Sequence, residues 1–242
     1  MRRSTKNLVV TVCLAMGLAV TAQSAWAQQK HGNSYAEWAA LWWTWALETP
    51  VLLPSGSHPG FDVGNVDCSV GQFGHVWFLA ETIGLAPGAQ VQRSCSIPTG
   101  TGLFLPAFNN LFLNFASDPP LTPELCADYA ASTKEWLGDI TITALLDGKP
   151  LKKNAVQVEQ SPVFSVQMPT PTATETNLLA YFGFTEAEFP GWVAPSNCDF
   201  GWYGYVEPMS VGEHVLQWRF ESSLQGLLYD VVYNLTVVPR NK

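Results

Sequence analysis

The segment YAEWAALWWTW, which begins at Tyr35, constrains the fold more than any other part of the chain, because it places four tryptophans within eight residues. A buried tryptophan hides roughly 200 Å² of surface, which is worth about 5 kcal/mol before entropy is counted. Four exposed indoles would be a large aggregation liability. The sequence therefore predicts that most of these rings lie inside the protein, covered by another layer of structure.

The same segment carries the signals of a helix over residues 34–49. Ser34 followed by Glu37 forms a capping box at its start, and Pro50 ends it because the residue before a proline avoids helical geometry. The side chains predicted to form one apolar stripe toward the core are Tyr35, Trp38, Trp42 and Trp45. Trp43 lies further round the helix, so we expect this indole to meet a ligand or a second packing surface.

The first 27 residues match a secretory signal peptide. They begin with three cationic residues, continue with an apolar run over residues 8–20 and close with the small-x-small site AWA. Cleavage there leaves residues 28–242 and predicts a periplasmic or secreted protein. The loss of three positive charges changes the net charge from −8 to −11, which argues against nucleic acid as a partner. No later apolar segment is long enough to cross a membrane.

Four cysteines remain after this cleavage, and an even count in an exported chain predicts disulfides. They are Cys68, Cys95, Cys126 and Cys198. Three pairings are open, of which 68–95 with 126–198 is favoured because each bridge closes a loop around a predicted strand or helix. A zinc site is the weaker interpretation because the chain has no C-x-x-C pair. We therefore expect no metal and no cofactor.

Most of the remaining chain has the patterns of strands. HVLQWRFES and YDVVYNLTV alternate between apolar and polar residues, and Asp147-Gly148 predicts a tight hairpin turn. Pro106 within GLFLPAFN predicts an edge position or a bulge, and Thr122-Pro123 opens a second helix. The predicted fold is a mainly β, antiparallel β-sandwich in one domain, residues 28–242, with a Trp-rich N-terminal helix and one further helix. Residues 161–199 have no clear assignment.

Three stretches, YAEWAALWWTW, CSVGQFGHVWFLA and RSCSIPTGTGLFLPAFN, resemble an uncharacterised family of exported bacterial proteins. The pair GEHVLQWRF and YDVVYNLTV is similar to the closing strands of small immunoglobulin-like domains. The resemblance covers most of the chain from Tyr35 to Val238. It implies export, one β-rich domain and a Cys68–Cys95 bridge. It brings no catalytic residues, because the family has no known activity.

Candidate catalytic residues are few. Asp62, His75 and Glu81 lie in or beside a Gly-rich loop and the predicted strand HVWFLAET, and carboxylates with a histidine could support hydrolysis. On that strand His75, Trp77 and Glu81 would share one face. No metal-binding or nucleophile motif accompanies them. His214 falls on the apolar side of its strand, so we expect a hydrogen-bonded core residue there.

The sequence favours an exported, non-catalytic binding or interaction module over an enzyme. Its partner would be a glycan, a small apolar compound or an envelope protein, and Trp43 and Trp77 are the candidate ligand-binding residues. One alternative is a carboxylate- and histidine-dependent hydrolase in the region His58–Glu81, which requires Asp62, His75 and Glu81 to converge. A second alternative is a structural envelope protein.

Overall fold

The computed structural model describes residues 32–83, 87–152 and 154–240. The predicted signal peptide, residues 1–27, lies outside this described part. The described chain is mainly β, with mixed and antiparallel sheets and three helices, one of them at the N-terminal end. The predicted fold class is confirmed, and the arrangement is consistent with a β-sandwich.

The elements are as follows in chain order. The helices are α1 (Tyr35–Glu48), α2 (Pro123–Leu137) and the short α3 (Leu178–Tyr181). The strands are β1 (Val51–Leu52), β2 (Gly64–Asn65), β3 (Val76–Phe78), β4 (Gln90–Pro98), β5 (Gly102–Phe112), β6 (Ile140–Leu146), β7 (Lys149–Pro150), β8 (Val156–Gln160), β9 (Phe164–Gln167), β10 (Glu175–Thr176), β11 (Val193–Val206), β12 (Gly212–Ser222) and β13 (Gly226–Val238).

Helix α1 begins and ends where its sequence predicts. Ser34 Oγ accepts from the backbone N–H of Glu37 at 3.2 Å, and Glu37 Oε2 accepts from the backbone N–H of Ser34 at 2.7 Å. These reciprocal bonds satisfy two amides that a helix start leaves without intrahelical partners. At the other end, the N–H of Thr49 donates to the carbonyl of Trp45, just before Pro50.

Two large sheets form the body of the protein. The six-stranded sheet has the order β2-β4-β13-β12-β6-β7, and the five-stranded sheet has the order β3-β5-β11-β8 with β9 also paired to β11. Antiparallel pairs dominate, including the hairpin of β12 and β13. Parallel pairs join β4 to β13, β2 to β4 and β3 to β5, so both large sheets are mixed. A third, two-stranded sheet pairs β1 with β10.

The five-stranded sheet is the middle of three layers, because its strand β5 contributes side chains to both apolar clusters. On one face Phe104 stacks on Tyr203 of β11, with ring centroids 5.2 Å apart, and both belong to the cluster that contains the tryptophans of α1. On the other face Phe108 stacks on Phe220 of β12 at 4.8 Å, in the cluster shared with the six-stranded sheet. Helix α1 therefore covers one face of the middle sheet, and the second sheet covers the other.

Pro106 lies at a bulge, and the alternative edge position is wrong. Strand β5 lies between β3 and β11, and its register with β11 shifts at this point, where Trp202 faces Phe108 and Tyr203 faces Pro106. A proline has no N–H to donate to a ladder, so a central strand can hold it only where the ladder is interrupted.

Both favoured disulfide pairings are confirmed. Cys68 in the long loop is bonded to Cys95 of β4, and Cys126 of α2 is bonded to Cys198 of β11. The second bridge fastens α2 to the middle sheet. Residues 161–199, which the sequence left unassigned, contain β9, β10, α3 and the first half of β11. The two disulfides indicate an oxidising environment outside the cytoplasm.

Candidate functional site

The three residues on which the hydrolase alternative depends do not come together. The Asp62 carboxylate accepts hydrogen bonds from Ser57 Oγ at 2.6 Å and from the backbone N–H of His58 at 3.2 Å, so it fastens a turn. His75 is exposed, and its Nδ1 lies 3.3 Å from Nη1 of Arg240. Glu81 is buried. The expectation that His75 and Glu81 share a strand face is wrong, because β3 ends at Phe78.

Glu81 instead belongs to a buried polar cluster between α1 and the middle sheet. The Asn109 amide, with its nitrogen toward Glu81, donates to Glu81 Oε1 at 2.9 Å, and its oxygen faces Trp43 Nε1 at 3.2 Å. The same indole N–H donates to Asp199 Oδ2 at 2.8 Å, and the Tyr203 hydroxyl donates to that oxygen as well. This cluster of five residues links helix α1 to β5 and β11.

Burial keeps Glu81 largely neutral and Asp199 about half protonated near pH 7. Desolvation raises the pKa of Glu81 to about 8, with the charge of Arg93 opposing the shift and that of Asp199 adding to it. Desolvation also raises the pKa of Asp199 to about 7, while the hydrogen bonds from Tyr203 and Trp43 lower it. None of its five residues lines the cavity described below, and its hydrogen bonds join α1 to β5 and β11.

The two tryptophans proposed as ligand contacts occupy different positions. Trp43 is 9% exposed, and its N–H is already bonded to Asp199. The second packing surface expected for this residue is therefore the polar cluster. Trp77 in β3 is partly buried against the cluster between the two sheets. Neither residue lines a described cavity, so their role in ligand binding stays a prediction.

His58, at the start of the proposed hydrolase region, is also a structural residue. Its Nε2 lies 3.0 Å from the carbonyl of Ala46 in α1, and its Nδ1 accepts from the N–H of Gly60 at 2.9 Å. Both ring nitrogens are therefore used in joining the loop to the helix. Burial lowers the pKa of His58, so the imidazole is neutral near pH 7.

The strongest candidate site is a cavity of about 530 Å³ at one end of the sheets. It lies between the β6–β7 turn, the connection from β7 to β8, and the connection from β11 to β12. Its apolar and aromatic lining consists of Tyr35, Leu146, Pro150, Leu151, Ala155, Tyr205, Val206, Pro208 and Met209. Its polar lining consists of Asp147, Lys149, Lys152, Asn154, Glu207, Ser210 and His214. Nine of these sixteen residues are apolar or aromatic, and an apolar majority with polar groups beside it is typical of small-molecule sites.

A chain of polar groups crosses the mouth of this cavity. His214 Nδ1 lies 2.8 Å from Asp147 Oδ2, and His214 Nε2 lies 3.0 Å from the carbonyl oxygen of Ser210 and 3.4 Å from its Oγ. The other carboxylate oxygen of Asp147 accepts from the backbone N–H of Val215 at 2.9 Å. Asp147 occupies the first position of the predicted Asp-Gly turn with a φ of 53°, so the turn itself aims the carboxylate at β12.

The hydrogen bond between them moves the pKa values of His214 and Asp147 in opposite directions. The Asp147 carboxylate raises the pKa of His214, and this bond, with the Val215 N–H, lowers the pKa of Asp147. His214 does not lie in the core, so this part of the prediction is wrong. The side chain is hydrogen-bonded as expected but is 14% exposed at the cavity, because β12 extends beyond the part that the other sheet covers.

The sequence identifies Asp147 and His214 separately but does not predict that they are in contact. The sequence predicts a turn at Asp147 and a strand at His214, but the two residues are 67 positions apart. The signal that could have joined them is the strand order, since β6 and β12 are neighbours and Leu216 pairs with Leu146. That register places the turn after Leu146 beside His214.

Within the described ranges, no group of three or more histidine, cysteine or acidic side chains is arranged to hold a metal ion. No described helix is both long enough and apolar enough to span a membrane. Comparison with known proteins found no matching family model and no curated protein with significant similarity. The resemblance to an exported bacterial family therefore stays a prediction, and function has to be argued from the site.

Proposed function

We propose that this protein is an exported binding module that holds a small, largely apolar compound with a polar end in the 530 Å³ cavity. The composition of the cavity lining is the observation that supports this most directly. The volume lies within the range of about 300–1,000 Å³ that small-molecule sites occupy. The polar groups lie on the β6–β7 hairpin, the β7–β8 connection, the β11–β12 connection and the start of β12, where they could orient one end of the ligand.

An apolar compound fits this cavity better than a glycan does. Tyr35 and Tyr205 are 1% and 3% exposed, so neither ring forms the exposed aromatic platform on which a sugar would stack. The Tyr35 hydroxyl donates to the carbonyl of Ala155 at 3.2 Å, which leaves its ring as an apolar wall. Desolvation raises the pKa of Tyr205 to about 12, so this side chain is also uncharged.

Lys149 and Lys152 line the same cavity and favour an anionic polar end on the ligand. They are balanced in part by Asp147 and Glu207, so the site is suited to a single small acidic group rather than to a polyanion. Export is part of this proposal: the signal peptide, the two disulfides and the acidic mature chain all favour the periplasm or the medium over the cytoplasm. The resemblance of the last two strands, β12 and β13, to those of immunoglobulin-like domains is part of the same proposal.

The test uses the disulfide-bonded chain of residues 28–242 and 1-anilinonaphthalene-8-sulfonate, an apolar probe with one anionic group. We expect saturable binding at one site by the folded protein. Lys152→Trp and Leu151→Trp each place an indole in the cavity and should weaken binding at least about tenfold, or about 1.4 kcal/mol. Val158→Trp is the matched control, because this side chain is 47% exposed on β8 and lines none of the described cavities.

Unchanged probe binding in both cavity variants, with circular dichroism showing an intact fold, would contradict the proposal. Native mass spectrometry of protein purified from the exported fraction gives a second measurement. We expect an added mass on the wild type and on Val158→Trp that is reduced on Lys152→Trp. N-terminal sequencing of the same material should begin at residue 28.

A further inference from the structure

We propose that the cavity also carries an acyl-transfer site for small carboxylic esters, with Ser210 as nucleophile, His214 as its general base and Asp147 as the residue that positions the imidazole. The inference rests on the proposed binding cavity, because all three side chains line it. It differs from the hydrolase expected from the sequence, which placed the chemistry in the region His58–Glu81.

The three groups follow the order that nucleophilic catalysis by serine requires. The hydroxyl lies 3.4 Å from one ring nitrogen of His214, and the carboxylate lies 2.8 Å from the other. A carboxylate on Nδ1 keeps the proton there and leaves Nε2 to act as the base. The contact to Ser210 Oγ is longer than a normal hydrogen bond, which is common in sites without substrate, where such contacts tighten when the substrate binds.

The backbone carbonyl of Ser210 competes with its own hydroxyl for His214 Nε2, from 3.0 Å. The protonation state of the imidazole decides this competition. A cationic ring has an N–H at Nε2 and can donate it to the carbonyl. A neutral ring that keeps its proton on Nδ1 has only a lone pair at Nε2, which repels a carbonyl oxygen and can accept from Oγ–H. Deprotonation of His214 therefore turns the contact toward the nucleophile.

The base and its positioning group are held in place independently of any ligand. Asp147 has its second oxygen bonded to the backbone of Val215 and sits in a tight turn, so the carboxylate cannot rotate away from His214. His214 lies on β12, where it pairs with Leu235 of β13. Ser210 lies in the short connection that leads into β12 and is exposed to solvent, as a nucleophile must be. The site is thus assembled from the β6–β7 turn, the β11–β12 connection and the start of β12.

The reaction is written as ester hydrolysis with water as the second substrate. Ser210 Oγ bonds to the acyl carbon while His214 takes the hydroxyl proton, and the ester C–O bond then breaks as that proton passes to the departing alcohol. Water attacks the acyl-serine in the same way, releasing the carboxylic acid and restoring Ser210. The apolar wall would hold the acyl or aryl part, and Lys149 and Lys152 would place positive charge near the developing oxyanion.

The pH dependence follows from the groups that face His214. Asp147 raises the pKa of His214 most, the Ser210 carbonyl and the charge of Glu213 raise it further, and partial burial opposes them. Lys149, Lys152 and Glu207 face the same cavity from the neighbouring loops. Because only the neutral imidazole is a base, the hydrolysis rate should rise as pH increases through this raised value.

The experiment measures hydrolysis of p-nitrophenyl butyrate and labelling by a fluorophosphonate, with peptide mapping of the labelled residue. We expect the label on Ser210 and a rate above the uncatalysed rate. Ser210→Ala should abolish the label and lower the rate about 10²–10⁴-fold. Ser132→Ala is the matched control, because Ser132 is an exposed serine on α2 whose hydroxyl donates only to the carbonyl of Asp128. It should keep both the label and the rate.

Two further variants separate catalysis from a structural role in joining the β6–β7 turn to β12. His214→Gln should lose the rate about 10²-fold, and Asp147→Asn, which tolerates the turn, should shift the pH–rate profile to lower pH. A purely structural pair would change stability and leave the profile alone.

A wild type that hydrolyses the ester no faster than Ser210→Ala, or a label on another residue, would overturn the inference while leaving the binding function intact. If the wild type does not bind the anilinonaphthalene probe, the result contradicts the binding function instead. Lys152→Trp should block both probe binding and hydrolysis if they share the cavity.

Discussion

The indole N–H of Trp43 donates to the buried carboxyl group of Asp199 at 2.8 Å, across 156 residues of sequence. This bond explains why one tryptophan of α1 lies off the apolar stripe and is still buried. The other indoles also have partners: Trp42 donates to the carbonyl of Leu79 and Trp45 to that of Val70, both at 2.9 Å. Helix α1 is thus an anchor that uses its ring N–H groups as well as its apolar surface.

Replacing Trp43 with phenylalanine should lower the free energy of unfolding by about 2–4 kcal/mol. The smaller ring leaves a void, and Asp199 loses a donor in a site where water does not replace it. Trp136→Phe is the control, because Trp136 is 48% exposed on α2, and it should change stability by less than about 1 kcal/mol. Urea denaturation of both variants measures the difference, and equal losses would contradict the anchoring role.

Stability should fall as pH rises from about 6.5 to 8, because of the neutral acids in the core. The pKa values of Glu81 and Asp199 are about 8 and 7 in the folded protein, above the usual 4.5 and 3.8 of these acids. An acid whose pKa is raised in the folded protein contributes stability below its unfolded pKa. This contribution is lost as pH increases through the folded pKa. We expect a loss of at least about 1 kcal/mol per pH unit.

Two other titrating residues, His214 and His58, determine the background variant and the pH range for this measurement. The raised pKa of His214 adds a loss in the same direction, so the series is measured in a His214→Gln background. The lowered pKa of His58 acts in the opposite sense, but only below about pH 6.5, where the unfolded chain takes up the proton. Glu81→Gln and Asp199→Asn should flatten the slope, and a slope that is unchanged in both would show that these acids are ionised in the fold.

The sequence predicted the parts of the fold that depend on local signals. The capping box of α1, the Asp147-Gly148 turn and the alternation in β12 and β13 each reflect contacts within a few residues or one neighbouring strand. The bulge at Pro106 follows from the missing N–H of proline. Where the sequence failed, the deciding contacts are long-range: Glu81 turns inward because β3 stops at Phe78, and its partners come from β5 and β11.

Arg93 is a second residue whose environment depends on long-range contacts that the sequence does not reveal. The alternation of β4 places this buried arginine in phase with the apolar side of the strand but does not show which groups it bonds to. Its guanidinium donates to the carbonyls of Asp62, Gly60, Ala80 and Glu81. These carbonyls belong to two separate loops, so only the folded topology brings them around one side chain. The sequence left this residue out of every candidate set.

Arg93→Lys should therefore destabilise the protein by at least about 3 kcal/mol, although the charge is kept. An ammonium group cannot reach four carbonyls in the plane of a guanidinium, and each buried carbonyl left without a donor costs about 1–3 kcal/mol. Arg219→Lys is the matched control, because its side chain is 40% exposed and bonds to Glu221 at 3.1 Å. It should stay within about 0.5 kcal/mol of the wild type. Denaturation midpoints that fall equally in both variants would contradict this account of Arg93.

The two disulfides should differ in how much they stabilise the fold. Cys126 and Cys198 are separated by 72 residues, and Cys68 and Cys95 by 27, so the first bridge restricts the unfolded chain more. Loop-closure entropy gives about 4.4 and 3.5 kcal/mol respectively. Removal of the 126–198 bridge by paired alanine substitutions should therefore cost about 1 kcal/mol more than removal of the 68–95 bridge. Packing adds to this difference, because Cys126 and Cys198 are more deeply buried. Guanidinium denaturation of the two double variants under oxidising conditions measures it, and the reverse order would mean that the loop before β4, rather than the link between α2 and β11, is the costlier one to release.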